Sequence, residues 1–387
     1  MGAGREARPF FFDAGLRGIR GETSTKEAMS TQDLELQATR GDLRAQVRLA
    51  AELDAVGRHT DSITWLSRAA KAGDAEALTR VGMRLLFGLN APFRPVDGAG
   101  LLSDATARGS GEAAAMISVL AGGGIHGPQS WKVALDYLQR SADLGWRPAQ
   151  EQLGVLAGDP IGPGEVRPWG SLRESIDLDT WTRAPAIETL SESPRVFAIL
   201  GLAPPAACDW VMAQARPRLA RALVHDPQTG LTIMGETRTN RVANFGLAET
   251  SLVNLLIQAK FTAATGIPLA MMEAFAVLHY GVGEQASEHF DFLDPAIPAY
   301  AAEIAELGQR VATSLLYLND GYEGGETAFP KLGLSHRGSK GDALVFYSTG
   351  ADGVPDPTTV HAGRPPTSGE KWVLTQFIRN KRVIDAG

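Results

Sequence analysis

Four glycines, Gly41, Gly73, Gly109 and Gly145, are spaced by 32, 36 and 36 residues, and they constrain the fold more than anything else in this chain. Each is the centre of a repeated pattern. Four positions after it stands an alanine (Ala45, Ala77, Ala113, Ala149), and three before it Ala38, Ala70, Thr106 or Ala142. Seven before lie Leu34, Leu66, Leu102 and Leu138; eight after lie Leu49, Val81, Ile117 and Leu153. Positions seven and three before the glycine lie one helical turn apart on a single face. The glycine then ends that helix as a left-handed cap, and Asp42 or Asp74 starts the next. The alanines let the two helices approach closely. A helix-turn-helix unit of about 34 to 40 residues, stacked in tandem, makes a solenoid.

The pattern is fullest at Trp65-Leu66, Ala69-Ala70-Lys71-Ala72-Gly73-Asp74 and Ala77, and over residues 33–156 it resembles Sel1-type tetratricopeptide-like repeats. That resemblance implies a surface for peptides or proteins. The plainer alternative is that the repeats cover or dimerise the second half. His59 and His126 have no partner ligand nearby in this half, so neither is expected to bind metal. The pattern stops at residues 157–185, where Asp159-Pro160-Ile161-Gly162-Pro163-Gly164 and Arg167-Pro168-Trp169-Gly170 are turn clusters, read as a linker. Residues 1–32 carry arginines around Pro9-Phe10-Phe11-Phe12, with Asp13, Glu22 and Glu27 interspersed. They are expected as a disordered or weakly docked arm rather than a targeting peptide, with Met29 as an alternative start.

Residues 186–387 read differently. Glu273–Tyr280, Val311–Asn319, Asp342–Ser348 and Trp372–Arg379 are β-branched and aromatic runs of strand length. Ala206–Leu223 and Ser251–Thr265 before them read as helices. The expected architecture is therefore α+β and two-domain: an N-terminal all-α helical-repeat solenoid and a C-terminal double-stranded β-helix (jelly roll) with flanking helices. Cys208 is the only cysteine, which removes intramolecular disulfides and cysteine-based zinc sites. A net charge of −7 gives no reason to expect nucleic acid or an anionic membrane as partner, and no apolar run reaches the length of about 20 residues that spans a bilayer. A cytoplasmic protein is expected.

Three features on this framework carry chemistry. In His289-Phe290-Asp291 the imidazole and the carboxylate are two residues apart, so in extended backbone they point to one side. His361 follows 72 residues later. Two histidines and a carboxylate form the facial triad of non-haem iron(II) oxygenases, which leaves coordination positions open; a zinc hydrolase uses the same set, so the triad alone decides nothing. Lys371, ten residues past His361, opens the last strand. Standing alone it would read as a solvated strand-end lysine; beside the triad it is expected to be the buried cation that the far carboxylate of a metal-chelating dicarboxylate needs.

From about Ser193 to Arg379 the sequence resembles the prolyl 4-hydroxylase-like family of 2-oxoglutarate/iron(II) dioxygenases. The carrying residues are Ser193-Pro194-Arg195-Val196, Arg238-Thr239-Asn240, Tyr280-Gly281-Val282-Gly283, His289-Phe290-Asp291, Arg310-Val311-Ala312-Thr313, Gly324-Gly325-Glu326-Thr327-Ala328-Phe329, Lys340-Gly341-Asp342-Ala343, and His361-Ala362-Gly363-Arg364-Pro365 through Lys371-Trp372. The resemblance implies iron ligation by His289, Asp291 and His361, and pairing of Lys371 with the distal carboxylate of 2-oxoglutarate. Tyr280 and Thr327 would line the co-substrate pocket, and Arg310 would lie near a peptide substrate. His225, His279 and His336 are expected to have no metal role.

The implied cofactors are Fe(II), 2-oxoglutarate and O2, with ascorbate left as an auxiliary. The implied reaction couples decarboxylation of 2-oxoglutarate to hydroxylation of a protein or peptide side chain, peptidyl proline first, with the repeats recruiting the target. A small-molecule oxygenase and a non-catalytic scaffold with a degenerate fold are the alternatives. Two departures bear on the target. Ala286 stands where the family often has a tyrosine, and Phe377 stands where a tryptophan is usual. Asp226–Gly235 and Phe292–Gly308 are expected as mobile loops that order over bound substrate. Oligomeric state is left open.

Overall fold

The computed structural model describes residues 31–225, 232–233, 235 and 237–383. The N-terminal arm and the tip of the first expected lid, 226–231, lie outside the described residues. Eight helices come first: α1 Thr31–Thr39, α2 Leu43–Ala55, α3 His59–Lys71, α4 Ala75–Phe87, α5 Pro95–Ala107, α6 Gly111–Gly123, α7 Trp131–Asp143 and α8 Arg147–Ala157. They form four antiparallel pairs. The four repeat glycines join the helices of each pair with φ of +94°, +87°, +98° and +84°. A side chain is strained in that left-handed region, which is why glycine recurs there. Asp42, Asp74 and Ser110 cap the following helices by accepting the N–H of Ala45 (2.9 Å), Ala77 (2.8 Å) and Ala113 (3.1 Å). Leu34, Leu66, Leu102 and Leu138 are at most 2% exposed, as are Ala77, Ala113 and Ala149. Ala70 and Ile117 are only partly covered. Helices α4 and α5 meet backbone to backbone, because a Cβ on Gly98 would lie 2.6 Å from the Gly82 carbonyl oxygen.

The segment expected as a linker carries two short helices, α9 Trp169–Glu174 and α10 Leu178–Thr182, and buries Trp169, Leu172, Ile176 and Trp181. Trp181 donates its indole N–H to the Leu156 carbonyl at 3.2 Å. Turn residues set its path, and apolar side chains fasten it to α8.

Among its described residues the second half contains sixteen strands. In chain order they are β1 Glu188–Glu192, β2 Arg195–Ile199, β3 Ala220–Arg221, β4 Val224–His225, β5 Thr232–Ile233, β6 Arg241–Asn244, β7 Ala276–Tyr280, β8 Ala286–His289, β9 Arg310–Tyr317 and β10 Glu323–Gly324. Then come β11 Thr327–Phe329, β12 Leu334–His336, β13 Ala343–Tyr347, β14 His361–Gly363, β15 Pro366–Ser368 and β16 Lys371–Arg379. A large sheet runs β1-β2-β13-β9-β16-β7-β6-β3 and a smaller one β12-β11-β14-β8, with antiparallel pairing between the neighbouring strands. Alternation decides what faces what. Leu344 and Phe346 of β13, Leu315 and Tyr317 of β9, and Val373 of β16 pack with Phe329 of the smaller sheet, forming the inside of the jelly roll. Val345, Leu316 and Leu374, on the opposite face, pack towards the helices.

Those helices are α11, Pro205–Ala215, and α12, Leu252–Thr265. The helix expected to run to Leu223 ends at Ala215, breaks into a short 3₁₀ turn at Arg216–Arg218 and becomes β3. Pro217, which has no N–H to donate, explains the break. The second expected lid also differs, since Pro298–Leu307 forms a helix, α13. Proline in its first turn and a run of alanine, glutamate, isoleucine and leucine favour helix there. Helix α12 is buried from Leu252 to Phe261, between the large sheet and the repeats. Its Leu252 N–H is accepted by Gln152 Oε1 of α8 at 2.9 Å, and Gly122 of α6 makes room for Leu252 and Leu255. One apolar core thus runs from Leu78 in the repeats to Ile378 in the last strand.

Candidate active site

The triad assembles inside the jelly roll through strand register. β14 pairs with β8 so that His361 stands opposite His289, with ring centroids 4.4 Å apart. Asp291 follows two residues after His289. His289 Nδ1 lies 2.8 Å from the Ser287 carbonyl and His361 Nδ1 lies 3.1 Å from that of Thr359. A carbonyl can only accept, so Nδ1 carries the proton in each ring and both Nε2 lone pairs are free. Those Nε2 atoms face the Asp291 carboxylate at 3.6 Å and 3.4 Å. The three donor atoms lie within 4.8 Å of one another. Burial and the neighbouring His361 push the His289 pKa down to about 4, which keeps that imidazole neutral. Phe329 and Phe346 wall His361 in. Two imidazole nitrogens with one carboxylate suit a divalent iron with open positions.

Lys371 and Tyr280 are register partners on β16 and β7, and Lys371 is 2% exposed. Its ammonium lies 5.3 Å from the Tyr280 ring and 5.7 Å from the Tyr317 ring. It donates to the Gly325 carbonyl at 2.7 Å. Among the described residues no carboxylate lies within 4.0 Å of it. Burial pushes its pKa down to about 8, with Glu326 opposing. Gly325 has φ +69°, and a Cβ there would meet the Tyr322 ring at 2.9 Å, so only glycine fits this approach. Burial holds the Tyr280 hydroxyl protonated, its pKa near 12. A Cβ on Gly363 would come within 3.3 Å of that hydroxyl oxygen, so the glycine keeps this side clear. Thr327 is buried, its hydroxyl 3.2 Å from that of Tyr317.

Arg310 is held by an ion pair. Its Nε and Nη2 donate to Glu273 at 2.7 and 2.9 Å, and its guanidinium lies 4.0 Å from the Phe377 ring centroid. Glu273 also accepts from Arg379, which pairs in turn with Glu303 of α13. Phe377 therefore serves as the platform for Arg310, and Ala286 is buried beside Tyr280 and Gly363. Sequence reasoning assigned no role to Thr313, whose hydroxyl donates to Asp291 Oδ2 at 2.7 Å. The period-two alternation of β9 was a signal for it, because it puts Thr313 on the inner face with Leu315 and Tyr317. His279 pairs with Glu370 at 2.8 Å, and neither it nor His336 belongs to the triad.

A jelly roll with this donor set and a buried lysine beyond it defines a 2-oxoglutarate- and Fe(II)-dependent dioxygenase. A family model for the 2OG-Fe(II) oxygenase superfamily matches residues 275–379. Prolyl 4-hydroxylase 1 of Arabidopsis thaliana is 34% identical over 208 residues, covering 50% of this chain and 72% of that protein. The chain belongs to the prolyl 4-hydroxylase family of these oxygenases. The prolyl 4-hydroxylase subunit alpha-1 of Rattus norvegicus is also 34% identical, but the chain spans only 35% of its length. Among solved structures, the 2OG complex of a viral collagen prolyl hydroxylase from Paramecium Bursaria Chlorella virus-1 is similar at 26% identity. The match covers 48% of this chain and 94% of that one, with a TM-score of 0.36. A Sel1 repeat protein from Oxalobacter formigenes is similar at 23% identity, covering 31% and 94% of the two chains, with a TM-score of 0.29.

Proposed function

We propose that this protein hydroxylates a proline in a protein or peptide, with His289, Asp291 and His361 holding Fe(II) and Lys371 receiving the far carboxylate of 2-oxoglutarate. The observation that carries the reading is the buried Lys371 ammonium, with no carboxylate of the described residues within 4.0 Å, inside the same barrel as the triad. A dicarboxylate supplies the missing charge. Iron supplies the oxidising power once co-substrate and oxygen are bound. The chain does the rest: Tyr280 and Thr327 offer hydroxyls to the co-substrate, and Nδ1–H bonds fix both imidazoles. The walls of Phe329 and Phe346 exclude water. Arg310, held by Glu273 and seated on Phe377, borders the approach of the peptide.

Proline as the target rests on the relatives. We take residues 33–156 as the recruiting unit, 157–185 as the join and 186–387 as the catalytic unit, in a cytoplasmic protein. The test is a search for modified proteins. Enzyme with iron, 2-oxoglutarate and labelled oxygen is incubated with extract from cells lacking it, beside an Asp291→Ala control. Label on proline, only with active enzyme, is expected. Label on another residue would keep the chemistry and replace the target, and label on free metabolites alone would move the substrate to small molecules.

A further inference from the structure

Thr313 has a place in the site that neither the motif nor the family resemblance assigns. It lies in β9, which is hydrogen-bonded on both sides, to β13 and to β16. Its backbone is therefore fixed in the middle of the large sheet. Its side chain is 1% exposed and reaches Asp291 Oδ2 with a 2.7 Å hydrogen bond. Ser314, the next residue, points to the other face and makes no such contact; its hydroxyl is buried without a partner. A hydroxyl donating to one carboxylate oxygen fixes the plane of the group and occupies one of its lone pairs.

We infer that Thr313 is a positioning residue that holds Asp291 as a one-oxygen metal ligand, by bonding Oδ2 and fixing the plane of the carboxylate. The inference rests on the proposed triad. Coordination count gives it a purpose. Two imidazoles and one carboxylate oxygen would leave a six-coordinate ion three positions, which a chelating keto acid and a further ligand would fill. A carboxylate that turned to chelate through both oxygens would consume a position the reaction requires.

The experiment titrates the metal-free full chain with Mn(II), following free Mn(II) by electron paramagnetic resonance. Outer-sphere hydrogen bonds of this kind are worth about 10- to 100-fold in metal affinity. Thr313→Val is expected to weaken Mn(II) binding by about that factor, with the unfolding midpoint of the metal-free protein near that of the wild type. Thr313→Ser, which keeps the hydroxyl, is expected to restore binding. If Thr313→Val does not fold, Thr313→Ala against Thr313→Ser makes the same comparison. Equal affinity with and without the hydroxyl would overturn the inference while the triad stands. A wild type that binds no Mn(II) would instead remove the triad reading, and the inference with it.

Discussion

Among the described residues no carboxylate lies within 4.0 Å of the buried Lys371 ammonium, and burial, opposed by Glu326, holds its pKa near 8, below its ordinary 10.5. Between those values the unfolded chain binds more protons than the folded one, so folding stability rises with pH across that window. The cost is fully present below about pH 8. Unfolding of the ligand-free protein at pH 8 and pH 10 should show this gain, and Lys371→Met should lack it. 2-Oxoglutarate has the opposite dependence, because its far carboxylate pairs with the charged form. Its affinity, measured by calorimetry with Mn(II) present, is expected to hold up to about pH 8 and fall above it; a flat profile would argue against Lys371 as its partner. Gly325→Ala puts a methyl against Tyr322 at a left-handed φ. It is expected to cost about 1–3 kcal/mol and to weaken 2-oxoglutarate binding by displacing the Lys371 acceptor.

Among the elements, the repeats hold together through one buried leucine per unit and, in the first three units, a side-chain cap after the glycine. Leu102 is fully buried between α4, α5 and α6, and Leu102→Ala is expected to cost about 2–5 kcal/mol of stability in urea unfolding. Asp74→Ala removes the bond to the Ala77 N–H and should cost about 0.5–2 kcal/mol. Leu36→Ala, at a position 49% exposed, should change little, and that ranking is the check. Much of this was legible in the sequence: the glycine period located the turns, and the four expected strands lie within two or three residues of β7, β9, β13 and β16, while the shorter strands were not read. Helix α13 was not read, because its apolar residues are only half covered and no buried stripe marks it. The break at Pro217 was passed over because the apolar pattern continues on either side of it.

At the scale of the whole molecule, the repeats dock on α12, on the face of the large sheet away from the triad. They are thus part of the core as well as a candidate recruiting surface. A chain beginning at residue 157 would expose Leu252 and Leu255 to water, and is expected to aggregate or to bind a hydrophobic dye as a loosely packed state. Recruitment is then better tested with substitutions on the outer repeat surface than by deletion. Gly122→Val, which places atoms about 3.0 Å from Leu252, is expected to lower the unfolding midpoint of both halves together in a single transition. Separate transitions would show that the shared core does not couple them.

Period, spacing and residue type in the sequence marked the two architectures, the candidate triad and the candidate cation, and resemblance to known families supplied their chemistry, because these are local properties of the chain. Tertiary structure decided the rest. Register between β8 and β14 set His361 opposite His289, and sheet alternation turned Thr313 towards Asp291. Packing of Glu273 fixed Arg310 in an ion pair. Each of these joins residues far apart in the chain, and what decides them is which faces the folded layers bury together.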